Sequence, residues 1–377
     1  MGGRRRRRKD GAHAADTSIA TDKFEDGLPL FRQEARFERV GVTLDRGTMS
    51  RWLEEVGNLL GASVVEAARL DAMKSAFCIA TDSTGVLVQP IRTHEKQRQA
   101  CRRGHFFVQV ADRDHVFFEY APRETSGSVL EMFRGFEGYV QADASSVFDI
   151  LYRDGPDTDG QPARQEVGCW SHCRRYFYEA AIGKDPLARE ALYRIHRIFE
   201  NEAKWAREGP ARKKELRDRI TRPHVEAFLV WAEAEYERLQ GERGLLRSAF
   251  GYTTRQKEAL ARFLDDGRLG LDNNRSERAL RRVAVGRKNW LFVGSDDHGE
   301  AVAAFFSLIA SARLFDLDPE AYLRDLFRVL PHWPKDRYLE LAPKYWIATR
   351  DRLDKTELAR EVGHLTVPPP QQKPSAS

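Results

Sequence analysis

Long apolar runs are absent from this sequence of 377 residues. No stretch approaches the roughly 18 consecutive apolar residues that a membrane-spanning helix needs. The N-terminal charges are not followed by an apolar segment, so the sequence does not begin like a secretory signal. We therefore expect a protein of the cytoplasm.

Cysteines are also few, and the 4 in the chain are Cys78, Cys101, Cys169 and Cys173. In a chain of this length they do not indicate a disulfide framework, and a reducing compartment is the simpler interpretation. A glycine-rich phosphate loop of the GxxxxGK[ST] type is missing, so the sequence gives no indication of ATP use. No serine, cysteine or tyrosine stands out as a covalent nucleophile.

Positive charge is in modest excess, with a formal net charge of +5. The excess is clustered, in the run Arg4–Lys9 and in the pairs and triplets at 102–103, 174–175, 212–214, 281–282 and 287–288. A polyanionic partner suits such clusters. A solvated surface explains any single cluster at least as well, so composition leaves both interpretations open.

The first 72 residues divide into two segments. Residues 1–27 are polar and lack a hydrophobic period, which predicts a disordered basic tail. Residues 28–72 show two helical patterns separated by Gly41. This order fits a helix-turn-helix DNA-binding segment and an ordinary helical hairpin equally well. In the DNA-binding interpretation, the residues that face the groove are Thr48, Ser50 and Arg51.

A different pattern begins near residue 73, where short apolar runs alternate with turns. Strands are predicted at 76–81, 105–110, 115–120, 138–142 and 167–170, with a hairpin turn at 111–114 and a helix at 126–136. Strand, hairpin, helix, strand is the order of the ribonuclease H core, in which the first and fourth strands lie side by side. We therefore predict an α/β fold with a mixed sheet, whose first part is residues 73–170.

The rest of the chain is mostly helical in pattern. Residues 171–268 indicate a large all-helical insertion between two parts of the catalytic core. Residues 269–335 would complete that core, with Glu277 in the first turns of a helix that Asp272–Asn274 begins. Residues 336–377 are predicted to be a C-terminal extension that is partly disordered.

Three carboxylates are candidates for catalysis. Asp82 and Asp143 each follow a predicted strand, and the helix of Glu277 is able to pack across the same sheet edge. Cutting a phosphodiester bond needs an activated nucleophile and relief of charge on the leaving oxygen, and two Mg²⁺ ions supply both. Mg²⁺ takes hard oxygen ligands, which carboxylates provide. An aspartate after a strand is more often a turn former, so the pattern alone does not establish a site.

Four segments resemble those of a known family. Leu271–Arg281 is Leu-Asp-Asn-Asn-Arg-Ser-Glu-Arg-Ala-Leu-Arg, and Gly286–Ser295 is Gly-Arg-Lys-Asn-Trp-Leu-Phe-Val-Gly-Ser. Gly168–Arg175 is Gly-Cys-Trp-Ser-His-Cys-Arg-Arg, and Leu28–Glu34 is Leu-Pro-Leu-Phe-Arg-Gln-Glu. All four are similar to segments of transposases of the insertion sequence 66 family, and the resemblance covers roughly residues 28–335.

The resemblance implies a ribonuclease-H-like core, an Asp-Asp-Glu active site and a helical insertion before the glutamate. Carried over residue by residue, it implies that Asp82, Asp143 and Glu277 are catalytic and bind two Mg²⁺ or Mn²⁺ ions. The family commonly has Asp-Glu-Thr at the first aspartate and often Asp-Gly-Tyr at the second, where this chain has Asp-Ser-Thr and Asp-Ala-Ser. Full-length members also have an N-terminal zinc-binding region, which we expect this chain to lack.

The motif Cys169-x-x-His172-Cys173 offers three potential metal ligands in five positions, which is short of a closed four-ligand zinc site. We favour a structural or DNA-contact role, in which His172 orients a phosphate or the second aspartate. The other cations expected to contact DNA are Arg174, Arg175, Arg278, Arg281, Arg287 and Lys288. Surface salt bridges are an equal alternative for Arg278 and Arg281, which share a helix face.

The resulting hypothesis is a DNA transposase that nicks transposon ends and joins the freed 3′-hydroxyl to target DNA. Its partners would be double-stranded DNA, further copies of itself in a dimer or larger assembly, and accessory proteins of the same element. We expect it at the bacterial nucleoid. The alternatives are an inactive or domesticated DNA-binding remnant, and another nuclease or resolvase with the ribonuclease H fold.

Overall fold

A computed structural model describes residues 12–90, 100–153, 158, 160, 163–360 and 362–370. The chain forms two compact units. Unit 1 comprises Met1–Ala76, Ser83–Glu124 and Arg278–Ser377, and unit 2 comprises Phe77–Asp82 and Thr125–Glu277. None of the described helices is long and apolar enough to cross a membrane.

Five strands form one sheet in the order β3-β2-β1-β4-β5. Their bounds are β1 Cys78–Val88, β2 Arg102–Ala111, β3 His115–Ala121, β4 Tyr139–Gln141 and β5 Gln165–Val167. Strands β2 and β3 are an antiparallel hairpin, whereas β4 is parallel to β1 on one side and to β5 on the other. This mixed sheet confirms the predicted α/β fold, and the adjacent first and fourth strands have the ribonuclease-H-like arrangement.

The first strand is longer than predicted. It continues past Asp82 to Val88, so Asp82 lies inside the strand instead of at its end. Residues 81–85 are mostly polar, so the sequence does not predict that the strand continues through them. Val86 and Val88 are nevertheless buried, and the backbone amides of Gln89 and Val293 extend the pairing by donating to the carbonyls of Val293 and Leu87.

Sixteen α-helices lie in the described residues. Those before the insertion are α1 Ala12–Phe24, α2 Leu30–Arg39, α3 Arg46–Leu60, α4 Glu66–Ser75 and α5 Ser126–Met132. The insertion contains α6 Trp170–Ile182, α7 Pro186–Lys204, α8 Pro210–Leu216, α9 Arg222–Arg238, α10 Leu245–Arg255 and α11 Lys257–Ala261. The remaining helices are α12 Asn274–Trp290, α13 Asp296–Leu314, α14 Pro319–Val329, α15 Pro343–Arg350 and α16 Lys355–Leu358.

Side-chain caps explain where several helices begin. The carboxylates of Asp45, Asp185 and Asp318 accept hydrogen bonds from backbone amides in the first turns of α3, α7 and α14. The Ser295 hydroxyl does the same for α13. An N-cap oxygen satisfies an amide that has no partner within the helix, which favours a helix start at these positions.

The prediction of a disordered tail over residues 1–27 is wrong for its second half. Residues 1–11 lie outside the described residues, but α1 is a helix in which Ile19, Ala20 and Phe24 are buried. The Phe24 ring stacks on Phe305 with ring centroids 4.8 Å apart. Three apolar residues in a polar segment are too few to show a helical period, so only the packing reveals this helix.

The C-terminal extension is also more ordered than predicted. Helices α15 and α16 lie within residues 336–377, and Leu341, Trp346 and Leu353 are buried. Only residue 361 and residues 371–377 of this extension lie outside the described part of the chain.

The outer strand β3 is protected along its free edge by α13. Ser311 Oγ accepts a hydrogen bond from the Val116 amide at 2.9 Å, and Ser307 Oγ accepts one from the Phe118 amide at 2.7 Å. Unpaired amides at the edge of a sheet can form hydrogen bonds with a strand of another chain. The hydrogen bonds to these two serines satisfy the amides of Val116 and Phe118 and so disfavour such pairing.

Unit 2 has its own hydrophobic core, built by the insertion and the short strands. Trp170, Phe177, Phe228 and Phe250 are all fully or almost fully buried in it. The centroids of the Phe177 and Phe250 rings are 5.0 Å apart in an edge-to-face arrangement. Such pairs add stability beyond the area they bury, which explains how a helical block of this size packs around few strands.

Arg217 is a buried cation within this core, with 1% of its side chain exposed. Its guanidinium donates two hydrogen bonds to the Glu202 carboxylate, at 2.9 and 2.6 Å. It donates three more to the carbonyls of Phe263, Asp266 and Leu269, at 2.6, 2.8 and 3.0 Å. All five N–H donors of the side chain are thus used, and Arg217 fastens α7 to the segment that leads out of the insertion.

Asp71 joins three elements of unit 1. Its Oδ2 accepts a hydrogen bond from Tyr345 Oη at 2.8 Å, lies 3.3 Å from His115 Nε2 and lies 3.6 Å from Lys344 Nζ. The hydrogen bond with His115, followed by that of Tyr345 and the charge of Lys344, lowers the pKa of Asp71 from 3.8 to about 2, although burial opposes the shift.

Acid is therefore expected to destabilise unit 1 through Asp71. Because the pKa in the folded state is lower than in the unfolded state, the stabilisation is complete above about pH 4 and is lost as the pH falls towards 2. The shift corresponds to roughly 2 kcal/mol. Thermal unfolding between about pH 5 and pH 2 should show a steeper acid loss for the wild type than for Asp71→Asn. The exposed Asp351→Asn is the control, and equal slopes in all three proteins would contradict the assignment.

Candidate active site

Two of the three predicted carboxylates lie at the same end of neighbouring strands. Ala80 on β1 is the register partner of Gln141 on β4, in a parallel pair. Asp82 lies two residues beyond this pair within β1, and Asp143 lies two residues beyond it, after the end of β4. Both side chains are partly exposed.

The chain turns directly after β4, and this turn sets the position of Asp143. Its Oδ1 accepts a hydrogen bond from the Ser145 amide at 3.0 Å. Ala144, between them, has φ +61°, in the left-handed region that residues with a Cβ rarely adopt. Asp143 thus sits at a sharp bend, which explains why the sequence there does not continue as a strand.

The start of α12 is fastened to β1 by Asn273. This residue is fully buried, and its Nδ2 donates to the Thr81 carbonyl at 2.7 Å, one residue before Asp82. Its backbone amide donates to Cys169 Sγ at 3.3 Å. The neighbouring Asp272 accepts from the Ser171 hydroxyl at 3.2 Å. The predicted cap therefore also places the first turn of α12, with Glu277, beside the strand of Asp82.

His172 connects Glu277 with Asp143. Its Nε2 lies 3.8 Å from Glu277 Oε1. Burial lowers the pKa of His172, the charge of Arg175 lowers it further, and the charges of Asp143 and Glu277 oppose the shift. Both carboxylates therefore act electrostatically on this imidazole.

The two cysteines of the motif have different surroundings. Cys169 Sγ, His172 and Glu277 present potential ligand atoms that all lie within 4.8 Å of one another. Cys173 instead lies in the core, where its sulfur is 3.4 Å from Thr253 Oγ1. Burial raises the pKa of the Cys169 thiol to about 11 and that of Cys173 to about 12. Of the two, only Cys169 belongs to the site.

Three further residues near the site were missed by sequence analysis. Gln141 Nε2 donates to the Gly270 carbonyl at 2.9 Å, which holds the segment before α12 against β4. Tyr152 is half-buried and Tyr252 is buried, and the hydroxyl of each has no hydrogen-bond partner among the described residues. The charge of Asp143 contributes to raising the pKa of both tyrosines. No motif distinguishes these three residues in the sequence.

Comparison with known proteins identifies a family for this chain. The profile described as "Transposase IS66 family" matches residues 13–301, and that of the "IS66 C-terminal element" matches residues 307–344. The chain belongs to the IS66 transposase family. The first match begins within α1, so the segment predicted to be a tail is part of the family's common region.

Curated relatives come from Sinorhizobium fredii (strain NBRC 101917 / NGR234). Uncharacterized protein y4hP is 30% identical over 358 residues, which cover 87% of this chain and 61% of the relative. Uncharacterized protein y4qI is 28% identical over 330 residues, which cover 86% of this chain and 61% of the relative. The chain thus spans about three fifths of the length of the curated relatives it matches.

At two positions, Ala144 and Ser83, the chain differs from the residue that is common in the IS66 family. Ala144 has the left-handed backbone that suits the glycine often found there in the family. Ser83, which stands where the family commonly has glutamate, donates a hydrogen bond to Glu124 Oε1 at 2.5 Å. In unit 1, a carboxylate from elsewhere in the chain therefore lies against the position that differs.

Five of the six cations on α6 and α12 that are predicted to contact DNA are exposed. Arg174 and Arg175 lie on α6, and Arg278 and Arg281 lie on the outer face of α12. The latter two line a cavity of about 320 Å³ with Lys23. Exposed cations that line a cavity favour the binding of a polyanion.

The remaining two predicted cations have different surroundings. Lys288 is exposed, whereas Arg287 donates to Thr84 Oγ1 at 2.8 Å and to the Gly85 carbonyl at 2.7 Å. Arg287 therefore fastens α12 to β1 within unit 1.

Thr48 and Ser50, which are predicted to contact DNA from the helix-turn-helix segment, have side-chain partners within the chain. Thr48 Oγ1 donates to the capping carboxylate of Asp45 at 2.6 Å, and Ser50 Oγ lies 2.8 Å from His298 Nε2. Arg51 is exposed. The face of α3 that carries Met49, Leu53, Gly57 and Leu60 is buried. Of the three predicted contact residues, Arg51 alone has an exposed side chain.

Proposed function

We propose that this chain is the catalytic part of a DNA transposase. It hydrolyses a phosphodiester bond at each transposon end and transfers the freed 3′-hydroxyl to target DNA. Asp82, Asp143 and Glu277 are its catalytic residues. Its substrates are double-stranded transposon ends and target DNA.

The observation that supports this proposal is that the three elements carrying these carboxylates contact one another. The paired part of β1 and β4 ends two residues before Asp82 and Asp143. Asn273 attaches the helix of Glu277 to the residue before Asp82, and His172 lies near both Asp143 and Glu277. A family-wide need for an Asp-Asp-Glu set supports the same three residues.

A divalent metal fits this site. Asp82, Asp143 and Glu277 supply hard oxygen donors that are partly exposed, as Mg²⁺ and Mn²⁺ prefer. These three residues would hold two Mg²⁺ ions, or Mn²⁺ in their place. When bound, such ions make the attacking oxygen more nucleophilic and stabilise charge on the leaving oxygen.

The surrounding residues position and tune the carboxylates. Because burial lowers its pKa, His172 is uncharged at neutral pH and does not neutralise Glu277 through an ion pair. Asn273 holds the helix of Glu277 in a fixed relation to β1. Arg174 and Arg175 are exposed on α6 and bind DNA phosphates.

The test is a cleavage and joining assay on DNA that carries the element's own ends. With Mg²⁺ or Mn²⁺ we expect nicked ends and then joined products, and with a chelator we expect neither. Nicking without joining would favour another nuclease of this fold. Binding of the ends without nicking under any metal condition would favour an inactive DNA-binding remnant.

Salt dependence gives a second test of the DNA partner. The basic clusters are expected to neutralise backbone phosphates, so log K for duplex binding should fall linearly with log salt, by about 0.9 per phosphate contact. Replacing both Arg174 and Arg175 by alanine should reduce the slope by about 2. Arg189 and Arg197, exposed arginines on α7 that lie outside the basic clusters, provide a control pair. An unchanged slope in the first pair would contradict their role as phosphate contacts.

A further inference from the structure

Cys169, His172 and Glu277 form a cluster of ligands that differs in chemistry from the three catalytic carboxylates. Their potential ligand atoms lie within 4.8 Å of one another, and His172 Nε2 is 3.8 Å from Glu277 Oε1. Ligand atoms around a tetrahedral zinc ion are about 3.3 to 3.8 Å apart, given bonds of about 2.0 to 2.3 Å. Movements of about 1 Å would therefore close the cluster around one ion.

Cys169 lies at the start of α6, beside the start of α12. It is the N-cap residue of α6, and its sulfur accepts a hydrogen bond from the Asn273 backbone amide at 3.3 Å. The sulfur is therefore directed towards the helix that carries Glu277. A metal ion binds the thiolate form of cysteine, so binding at Cys169 displaces the proton of the thiol.

His172 provides the second observation. Its side chain is 7% exposed, and its Nδ1 is buried without a hydrogen-bond partner among the described residues. A buried imidazole nitrogen is normally satisfied by a partner. A metal ion bound directly to Nδ1 would give this buried nitrogen a partner, whereas ligation through Nε2 would leave it without one.

We propose that Cys169, His172 and Glu277 bind one soft divalent cation of the zinc type, and that this ion inhibits the enzyme by withdrawing Glu277 from the catalytic carboxylates. Three protein ligands leave a fourth position for water, as in open zinc sites. The thiolate and imidazole select zinc over Mg²⁺. The inhibitory half of the proposal rests on the proposed function, whereas the binding half does not.

Binding is tested with Co²⁺ as a spectroscopic probe and with Zn²⁺ in calorimetry, on the full chain. We expect one ion per chain and a thiolate-to-cobalt charge-transfer band. The band should be lost in Cys169→Ser and kept in Cys101→Ser, a control at an exposed cysteine. Glu277→Gln should weaken Zn²⁺ binding at least tenfold. Circular dichroism confirms folding of each variant. Absence of the band in wild type, or its presence in Cys169→Ser, would overturn the proposal.

Inhibition is tested in the Mg²⁺-dependent nicking assay. Micromolar Zn²⁺ should lower the wild-type rate at least tenfold, and a chelator followed by Mg²⁺ should restore it. Cys169→Ser should lose this sensitivity relative to its own zinc-free rate, whatever that rate is. If zinc binds but nicking is unaffected, the inhibitory half is wrong. If wild type never nicks, the proposed function fails together with the inhibitory half, and the spectra alone decide the binding half.

Discussion

Replacing Asp82, Asp143 or Glu277 by its amide is expected to reduce metal-dependent nicking of end DNA by more than about a hundredfold in each case. Each change keeps the size of the side chain but removes the negative charge that a divalent cation needs. Loss of residues that only support metal ligands typically costs 10- to 100-fold, so loss of a ligand should cost at least as much. Strand transfer uses the same site and should be lost in parallel.

The measurement compares initial rates of nicking and joining for Asp82→Asn, Asp143→Asn and Glu277→Gln with wild type. Asp149→Asn is the matched control, because Asp149 is an exposed aspartate of unit 2 that follows the same strand. End binding in a gel-shift assay should persist in all variants, which excludes unfolding as the cause.

The position of Glu277 makes its variant the most informative of the three. If nicking survives Glu277→Gln undiminished, the third ligand is misassigned, and Asp272 is the next carboxylate to test. Asp272 is held by Ser171 and by the Asn274 amide, so it already has two partners that a metal ligand would have to share. This geometry favours Glu277 over Asp272.

Replacing Arg217 by leucine is expected to destabilise unit 2 by about 3–5 kcal/mol. Removing one partner of a buried ion pair leaves an uncompensated charge, here on Glu202, whose side chain is 11% exposed. The change also leaves the carbonyls of Phe263, Asp266 and Leu269 without the donor that they share. Leucine fills part of the volume but satisfies none of these groups.

Hydrogen exchange read by mass spectrometry resolves this effect by region. In Arg217→Leu, protection should fall in α7 and in the segment 263–269, whereas the hairpin of β2 and β3 in unit 1 should be unchanged. The control is Arg219→Leu, an exposed arginine in the same helical turn, for which we expect a change within about 0.5 kcal/mol. Equal loss of protection in both variants would show that Arg217 has no special structural role.

The fold was predictable to the level of its elements. The hairpin turn at 111–114 and the two strands around it were found because apolar runs of four to six residues stand between polar turns. The helical insertion was found because its helices have amphipathic periods. Helix α1 and the second half of β1 were missed, since α1 is apolar at only a few positions and the run at 81–85 is polar within a strand. A local sequence pattern does not predict a helix or strand that is stabilised mainly by burial against distant parts of the chain.

The residues of the proposed site were predicted from the sequence, but their contacts were not. The long motif Leu271–Arg281 indicated Glu277 through family resemblance, and the ribonuclease-H-like order indicated Asp82, which lies in β1, and Asp143, which follows β4. The roles of the DNA-contact candidates were less predictable. The sequence predicts that Arg287 and Ser50 contact DNA, yet the side chains of both have hydrogen-bond partners within unit 1.

By itself, the sequence determined the family and the α/β class, because these follow from long motifs and from the order of short periodic segments. It also predicted the three carboxylates. Only the tertiary structure decided which cysteine of Cys169 and Cys173 faces Glu277, and that Asn273 attaches α12 to β1. Cys169 and Glu277 are separated by more than a hundred residues of insertion, and a linear pattern carries no distance across such a gap. The folded insertion brings Cys169 and His172 close to Glu277, and these three side chains form the cluster of potential metal ligands.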